Sequence, residues 1–193
     1  KRHGQGTFIS AYEFTYVCEW QNSRRNGQGV YNFPSGNTYE GDWKDGNMEG
    51  QGTFSFKDGT KYVGGWNNGN LNGKGNFIFP DGTSYSGGWL NDQKHGEGTH
   101  TYSDGSKYVG SWGENMKNGH GSFSYPDGSK YAGEWVNDKR HGVGRFSDPD
   151  GEKYEGSWED DKRHGKGTLI FPTGQKKTGY WFKDKFHSKE PPR

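Results

Sequence analysis

The chain has 193 residues, of which 35 are glycine and 32 are Phe, Trp or Tyr, whereas Val, Ile, Leu, Ala, Met and Cys together supply 17. So few aliphatic residues would suit a disordered chain, but such chains carry a large net charge and few rings, and here the net charge is +1 with 17% aromatics. A conventional aliphatic core is therefore excluded: whatever folds must bury rings against glycine in thin layers.

Apolar runs stop at about four residues, far short of the roughly 20 that a membrane-spanning helix needs. The sequence opens on Lys1-Arg2-His3-Gly4, with neither an initiator Met nor a signal-peptide pattern, and reads as a piece of something longer. One cysteine, Cys18, forbids an intrachain disulfide, and no Asn-x-Ser/Thr sequon occurs. Both facts fit a reducing, cytoplasmic compartment.

Taken in chain order, residues 1–15 form a partial first unit and Tyr16-x-Cys18-x-Trp20 opens the first full one. Tryptophans then recur every 23 residues, at 20, 43, 66, 89, 112, 135, 158 and 181, without an insertion. Tyrosine stands four residues before most of them and glycine two before, as in Tyr39-x-Gly41-x-Trp43. Seven residues after each Trp but the last comes Gly-x-Gly, then an aromatic pair such as Phe54/Phe56 or Phe77/Phe79, then a turn such as Asp58-Gly59. Full units run from about 16 to 176, and an atypical unit, 177–193, closes the array.

Alternation at period 2 marks strands: Tyr39, Gly41 and Trp43 share one face, and Gly50, Gly52, Phe54 and Phe56 share the corresponding face of the next strand. Asp-Gly and Asn-Gly supply positive-φ turns, so each unit predicts one two-stranded hairpin. The fold class expected is all-β: an elongated, twisted and curved single-layer antiparallel meander of about 16 strands, roughly 75 to 80 Å long, with no helices. Glycine on the aromatic face leaves room for a ring to lie flat over the backbone, and the tryptophans are the expected cover.

This pattern resembles the MORN (membrane occupation and recognition nexus) repeat, whose consensus runs Tyr-x-Gly-x-Trp, then His-Gly-x-Gly, an aromatic strand and Asp-Gly. Tyr131-Ala132-Gly133-Glu134-Trp135 followed by Lys139-Arg140-His141-Gly142-Val143-Gly144 carries it fully. Departures fall at the ends: Glu13, Cys18, Lys177 and Ser188 replace consensus residues, as terminal units of a stacked array do, and they point to a genuine C-terminal end. The resemblance implies a non-catalytic scaffold of a cytoskeletal, ciliary or cortical assembly, often self-associating. Some arrays of this family are appended to catalytic domains.

No other chemistry assembles. Five of the seven histidines (His3, His95, His141, His164, His187) occupy one repeat position and read as turn-packing residues, about 10 Å apart along the array and so unable to converge on a metal. His100 replaces a ring and is expected to pack as one, and Cys18 reads as a small apolar residue. Gly69-x-x-x-Gly73-Lys74-Gly75 lacks the spacing of a phosphate loop, and Asp148-Pro149-Asp150-Gly151-Glu152 lacks the ligands of a calcium loop and reads as a variant turn. No metal, cofactor or catalytic constellation is expected.

The groove-side rings Tyr39, Trp43, Tyr62, Trp66, Tyr85, Trp89, Tyr108 and Trp112 would form an exposed aromatic surface, a candidate site for a partner peptide or helix. Residues 161–193 hold nine basic and three acidic side chains, against 12 and 18 over residues 41–160. The basic end offers Lys162, Arg163, Lys176, Lys177, Lys183 and Lys185 as candidate contacts with anionic phospholipid, the alternative function. Trp181, Phe182 and Phe186 on the closing strands are the candidate contacts of a homodimer. Nucleic acid is not an expected partner, because the acidic centre would repel phosphates.

Overall fold

Two-residue turns with both residues at positive φ recur along the chain and set its architecture. The computed structural model describes residues 3–9 and 15–189; the expectations for Glu13 and for the side chain of Cys18 lie outside the described residues and side chains. Two compact units, 1–95 and 96–193, divide it. The first contains β1 (Gly4–Ile9), β2 (Thr15–Gln21), β3 (Arg24–Asn32), β4 (Thr38–Lys44), β5 (Asn47–Ser55), β6 (Lys61–Asn67), β7 (Asn70–Ile78), β8 (Ser84–Leu90) and the opening of β9 (Gln93–Thr101). The second contains the rest of β9, β10 (Lys107–Gly113), β11 (Met116–Ser124), β12 (Lys130–Val136), β13 (Lys139–Ser147), β14 (Lys153–Glu159), β15 (Lys162–Ile170), β16 (Lys176–Phe182) and β17 (Lys185–His187). No helix occurs among the described residues, and each unit is an antiparallel meander in which sequence neighbours pair.

The hairpins inside each repeat turn on pairs such as Asp45-Gly46, Asn137-Asp138, Asp160-Asp161 and Lys183-Asp184, with φ of 48° and 94°, 49° and 68°, 47° and 68°, and 48° and 70°. Two positive φ values are what a primed hairpin turn requires, and Asn and Asp tolerate them better than most residues. Asp45-Gly46 and Asn68-Gly69 make such hairpins as expected, whereas the pairs that close each unit, such as Asp58-Gly59, lie in the longer loops between repeats, where, for example, the Gly59 amide donates to the Phe56 carbonyl at 3.1 Å.

A second difference concerns the first glycine of each Gly-x-Gly. Strict alternation puts Gly50 on the aromatic face, but the register slips between Gly41 and Trp43 opposite it, and a Cβ at Gly50 would lie 2.5 Å from the Asp42 carboxylate on the other face. Gly50 has φ of 62°, and the bulge it makes breaks the period of two. The Gln51 amide left over by the bulge donates to Asp42 at 2.8 Å.

The ring that covers the strand glycines is tyrosine, not tryptophan. A Cβ at Gly52 would lie 2.5 Å from the ring of Tyr39, and one at Gly75 2.5 Å from that of Tyr62. Gly121, Gly144 and Gly167 stand in the same relation to Tyr108, Tyr131 and Tyr154. Each of these hydroxyls donates at 3.0 Å to the carbonyl three residues on, as Tyr39 to Asp42 and Tyr154 to Ser157. Tryptophan ties one repeat to the next: Trp43 Nε1 donates to the Gly29 carbonyl at 3.3 Å, and Trp158 Nε1 to that of Gly144 at 3.2 Å. A buried ring and a buried polar tip are thus both satisfied, which lets a single sheet hold aromatic residues with no second layer over them.

Candidate functional site

On the ring-bearing face of each unit, the side chains are layered. The floor is tyrosine: Tyr39, Tyr62 and Tyr108 are 0% exposed and Tyr85 is 1% exposed. These residues therefore lie beneath any groove surface, because the neighbouring tryptophans stand edge-on against them, Trp43 and Trp66 at 5.0 and 5.3 Å from Tyr39. Burial, helped by nearby carboxylates, raises the Tyr39 phenol well above its ordinary range, and burial with a smaller contribution from Asp92 pushes that of Tyr62 to about 12. Trp43, Trp66, Trp89 and Trp112 keep only a sliver of exposure.

The side chains a partner would touch come from the aromatic strands. In residues 1–95 they form an unbroken zigzag: Tyr31 to Phe33 at 4.5 Å, Phe33 to Phe54 at 5.4 Å, Phe54 to Phe56 at 4.6 Å, Phe56 to Phe77 at 5.9 Å and Phe77 to Phe79 at 4.9 Å. All are partly exposed, Phe79 by 40%. The site residues expected from the sequence missed this row, although its signal, the aromatic pair after each Gly-x-Gly, stands in the repeat itself. In residues 96–193 the row is more polar: His100 stacks on Tyr102 at 4.2 Å and 13°, then come Phe123, Tyr125 and Phe146. His100 packs as a ring. The row then stops, because Asp148 holds the place that Tyr102, Tyr125 and Phe171 hold in their repeats.

A third layer lies over the tryptophans, five residues after the preceding one in sequence. Arg25 covers Trp43 at 4.2 Å, and Met48 and Leu71 take the equivalent places. In the second unit this position is cationic three times running: Lys117 Nζ lies 4.5 Å over Trp135, the Arg140 guanidinium 4.4 Å over Trp158 and that of Arg163 4.2 Å over Trp181. Arg140 and Arg163 are held by Asp161 and Asp184 at 3.2 Å, and the same aspartates accept the backbone amides of residues 140 and 163 at 3.0 Å. Lys117 differs: its amide donates to Asp138 at 2.9 Å, but its ammonium makes no ion pair or hydrogen bond among the described residues. Burial holds its pKa below the usual lysine range.

The remaining expected contacts are scattered. Trp181 is 4% exposed and packs on Phe186 at 5.4 Å, while Phe182 is 43% exposed beside His164. Of the basic residues proposed for lipid, Arg163 is taken up by Trp181 and Asp184, and the Lys177 ammonium lies 4.1 Å over Phe186; Lys162, Lys176, Lys183 and Lys185 are exposed. No group of three or more His, Cys, Asp and Glu side chains that could hold a metal ion occurs among the described residues. No helix there is long and apolar enough to cross a membrane.

Stacked β-hairpins with a ring floor, tryptophan bridges and a ring-lined face define a repeat protein of the β-meander class. The MORN repeat pattern matches residues 1–11, 16–38, 39–61, 62–84, 85–107, 108–130, 131–153 and 154–176, and the chain belongs to that family. No curated protein matches it by sequence. Among solved structures, it is similar to the wild-type TCP10 domain of Danio rerio CPAP, with 12% identity over 91% of this chain and 82% of that one, at a TM-score of 0.47. It is also similar to the TCP10c domain of Drosophila melanogaster Sas-4, with 14% identity over 90% and 97% and a TM-score of 0.44. Scores of this size say nothing of a shared activity or partner.

Proposed function

We propose that the chain is a non-catalytic protein-interaction scaffold that receives a peptide or helix of a partner on its ring-lined face. The observation that carries this reading is the zigzag from Tyr31 to Phe79: rings in contact, partly exposed, on a sheet whose backbone groups are already paired. A continuous apolar surface that the fold itself does not need is what an interface presents. The partner belongs to an assembly of the cytoskeletal, ciliary or cortical kind in which MORN repeat proteins serve, and self-association through Phe182, Phe186 and the short strand β17 adds a second contact.

Affinity capture with the full protein and with Phe56→Ser and Phe79→Ser variants tests the groove. Capture should fall at least tenfold in the variants, about 1.4 kcal/mol for a lost ring contact, and should barely change between physiological and 0.5 M salt, where the Debye length is already below about 8 Å. Capture that survives both substitutions would refute the groove.

A further inference from the structure

The second unit carries a cleft beside the loop that holds Asp148, between Phe146 and Glu152 of its lining. Every ring of the exposed row contacts the next until Phe146, whose neighbour on the following loop should be another ring and is instead an aspartate turned away to accept the Glu152 amide at 2.9 Å. Beside that loop lies a cleft of about 280 Å³, with the rings of Phe146, Tyr154 and Trp158 lined up against three cations, Arg140, Lys153 and Arg163, and three carboxylates, Glu152, Asp161 and Asp184. An aromatic side chain needs roughly half that volume, so the cleft accepts one, edge or face against rings that already pack that way.

One repeat away stands Lys117, with its ammonium over Trp135, Phe123 and Tyr108 at 4.5, 5.1 and 5.8 Å and no ion pair among the described residues, Asp138 and Asp161 acting on it only from beyond contact. Rings satisfy a cation only in part, and a half-buried ammonium with no acceptor gains from a carboxylate that shares its desolvated surroundings. Arg140 and Arg163 already have their aspartates. Of the three cations over tryptophans in this unit, the one without an ion pair is therefore Lys117, and the open shape beside it along the array is the cleft at Phe146.

We infer that the groove of residues 96–193 selects an acidic partner segment that carries an aromatic anchor, its carboxylate on Lys117 and its ring in the cleft beside Asp148. This rests on the groove reading above and names the chemistry of its occupant. Two strands advance the array by about 10 Å, which is about seven residues of α-helix at 1.5 Å each. A helix lying along the array thus meets the two sites with its carboxylate and its ring about seven residues apart.

The probe is a fluorescently labelled alanine–glutamine helical peptide with Glu and Phe seven residues apart, compared with versions in which Glu becomes Gln or Phe becomes Ala. On the intact protein the Glu/Phe peptide should bind about tenfold tighter than either. Lys117→Met, which places there the residue type of Met48, should abolish the preference for Glu over Gln and leave that for Phe over Ala; Asp148→Phe should do the reverse. Thermal melts check that both variants fold, and a variant that does not is replaced by Lys117→Leu or Asp148→Tyr. Equal affinity for the three peptides, no binding by any of them, or unchanged preferences in the folded variants would overturn the inference. The groove reading would stand through all of these, since it falls on the capture experiment with Phe56→Ser and Phe79→Ser.

Discussion

In residues 1–95 the position above the tryptophans is held by Arg25, Met48, Leu71 and Lys94; in residues 96–193 it is held by Lys117, Arg140, Arg163 and finally Phe186. The beams beneath are the same in both units. Tyr62 and Tyr154 donate to the carbonyl three residues on at the same 3.0 Å, and Trp66 and Trp158 reach the carbonyl 14 residues back at 3.3 and 3.2 Å. Nor does the net charge differ much: residues 1–95 hold nine basic and nine acidic residues, residues 96–193 hold 16 and 15. What differs is where charge is put. A repeat can keep its floor and bridges constant because they are buried, and can vary the cover over tryptophan because the floor and bridges do not depend on it. On the groove reading proposed above, scaffold and selectivity reside on different residues of one 23-residue unit.

The largest effect expected is on the constant part, and it should be equal in the two units. Gly75→Val and Gly144→Val each drive a branched side chain into a tyrosine ring that has nowhere to go, since its hydroxyl is bonded and its face is walled by tryptophan. Each should destabilise the protein by about 1–3 kcal/mol or more, while Glu40→Gln, on the exposed face, should cost next to nothing. Thermal melts decide it. A glycine substitution in one unit that costs no more than Glu40→Gln would break the claim that both units share one beam.

The tyrosine floor also makes stability depend on alkaline pH in both units alike. Burial is the largest cause raising the phenols of Tyr62 and Tyr154 to about 12. An unfolded tyrosine titrates near 10, so above that pH the unfolded chain binds fewer protons than the folded one and stability declines as pH rises. Their contribution is complete below about pH 10 and is lost as pH passes from 10 to about 12. Tyrosinate absorbance and sheet circular dichroism followed together should change in one steep step. Tyrosines that ionise near 10 with the sheet intact would show that the floor is not sealed.

Much of this was legible in the sequence. A strict 23-residue spacing of tryptophan exposes the repeat, and period-2 alternation places Tyr39, Gly41 and Trp43 on one face. The bulge at Gly50 was not legible, because alternation assumes an unbroken ladder and a glycine conceals which way a side chain would point. The turns Asn137-Asp138 and Asp160-Asp161 hid for a related reason: Asp-Gly is the stronger turn signal, and it draws attention to the loops between repeats. Alternation alone puts tyrosine at the surface, because it shows which residues share a face but not which of two rings lies over the other. The cover residues were open to inspection, since Met48, Leu71, Lys117 and Arg140 fall in register. Their meaning depends on the distance to the tryptophan below, and that only the fold supplies.

The smallest effect expected concerns the exposed lysines of the second unit. Lys162, Lys176, Lys183 and Lys185 have no counterpart cluster in residues 1–95, and each cation near an anionic bilayer adds about 1 kcal/mol of attraction. The other two of the six candidate basic residues are already spent, Arg163 on Asp184 and Trp181 and Lys177 on the Phe186 ring. The neighbouring strands carry carboxylates too: Glu159 is in register with Lys162, and Asp184 precedes Lys185. Attraction of about four charges, offset by acidic neighbours and screened beyond about 8 Å, leaves little net binding at physiological salt. Sedimentation with phosphatidylserine-containing vesicles should therefore be weak, and changing all four lysines to Gln should alter it little. Strong sedimentation that the four substitutions abolish would make the basic end of the second unit a membrane site, and would extend the contrast between the units from the groove to the lipid surface.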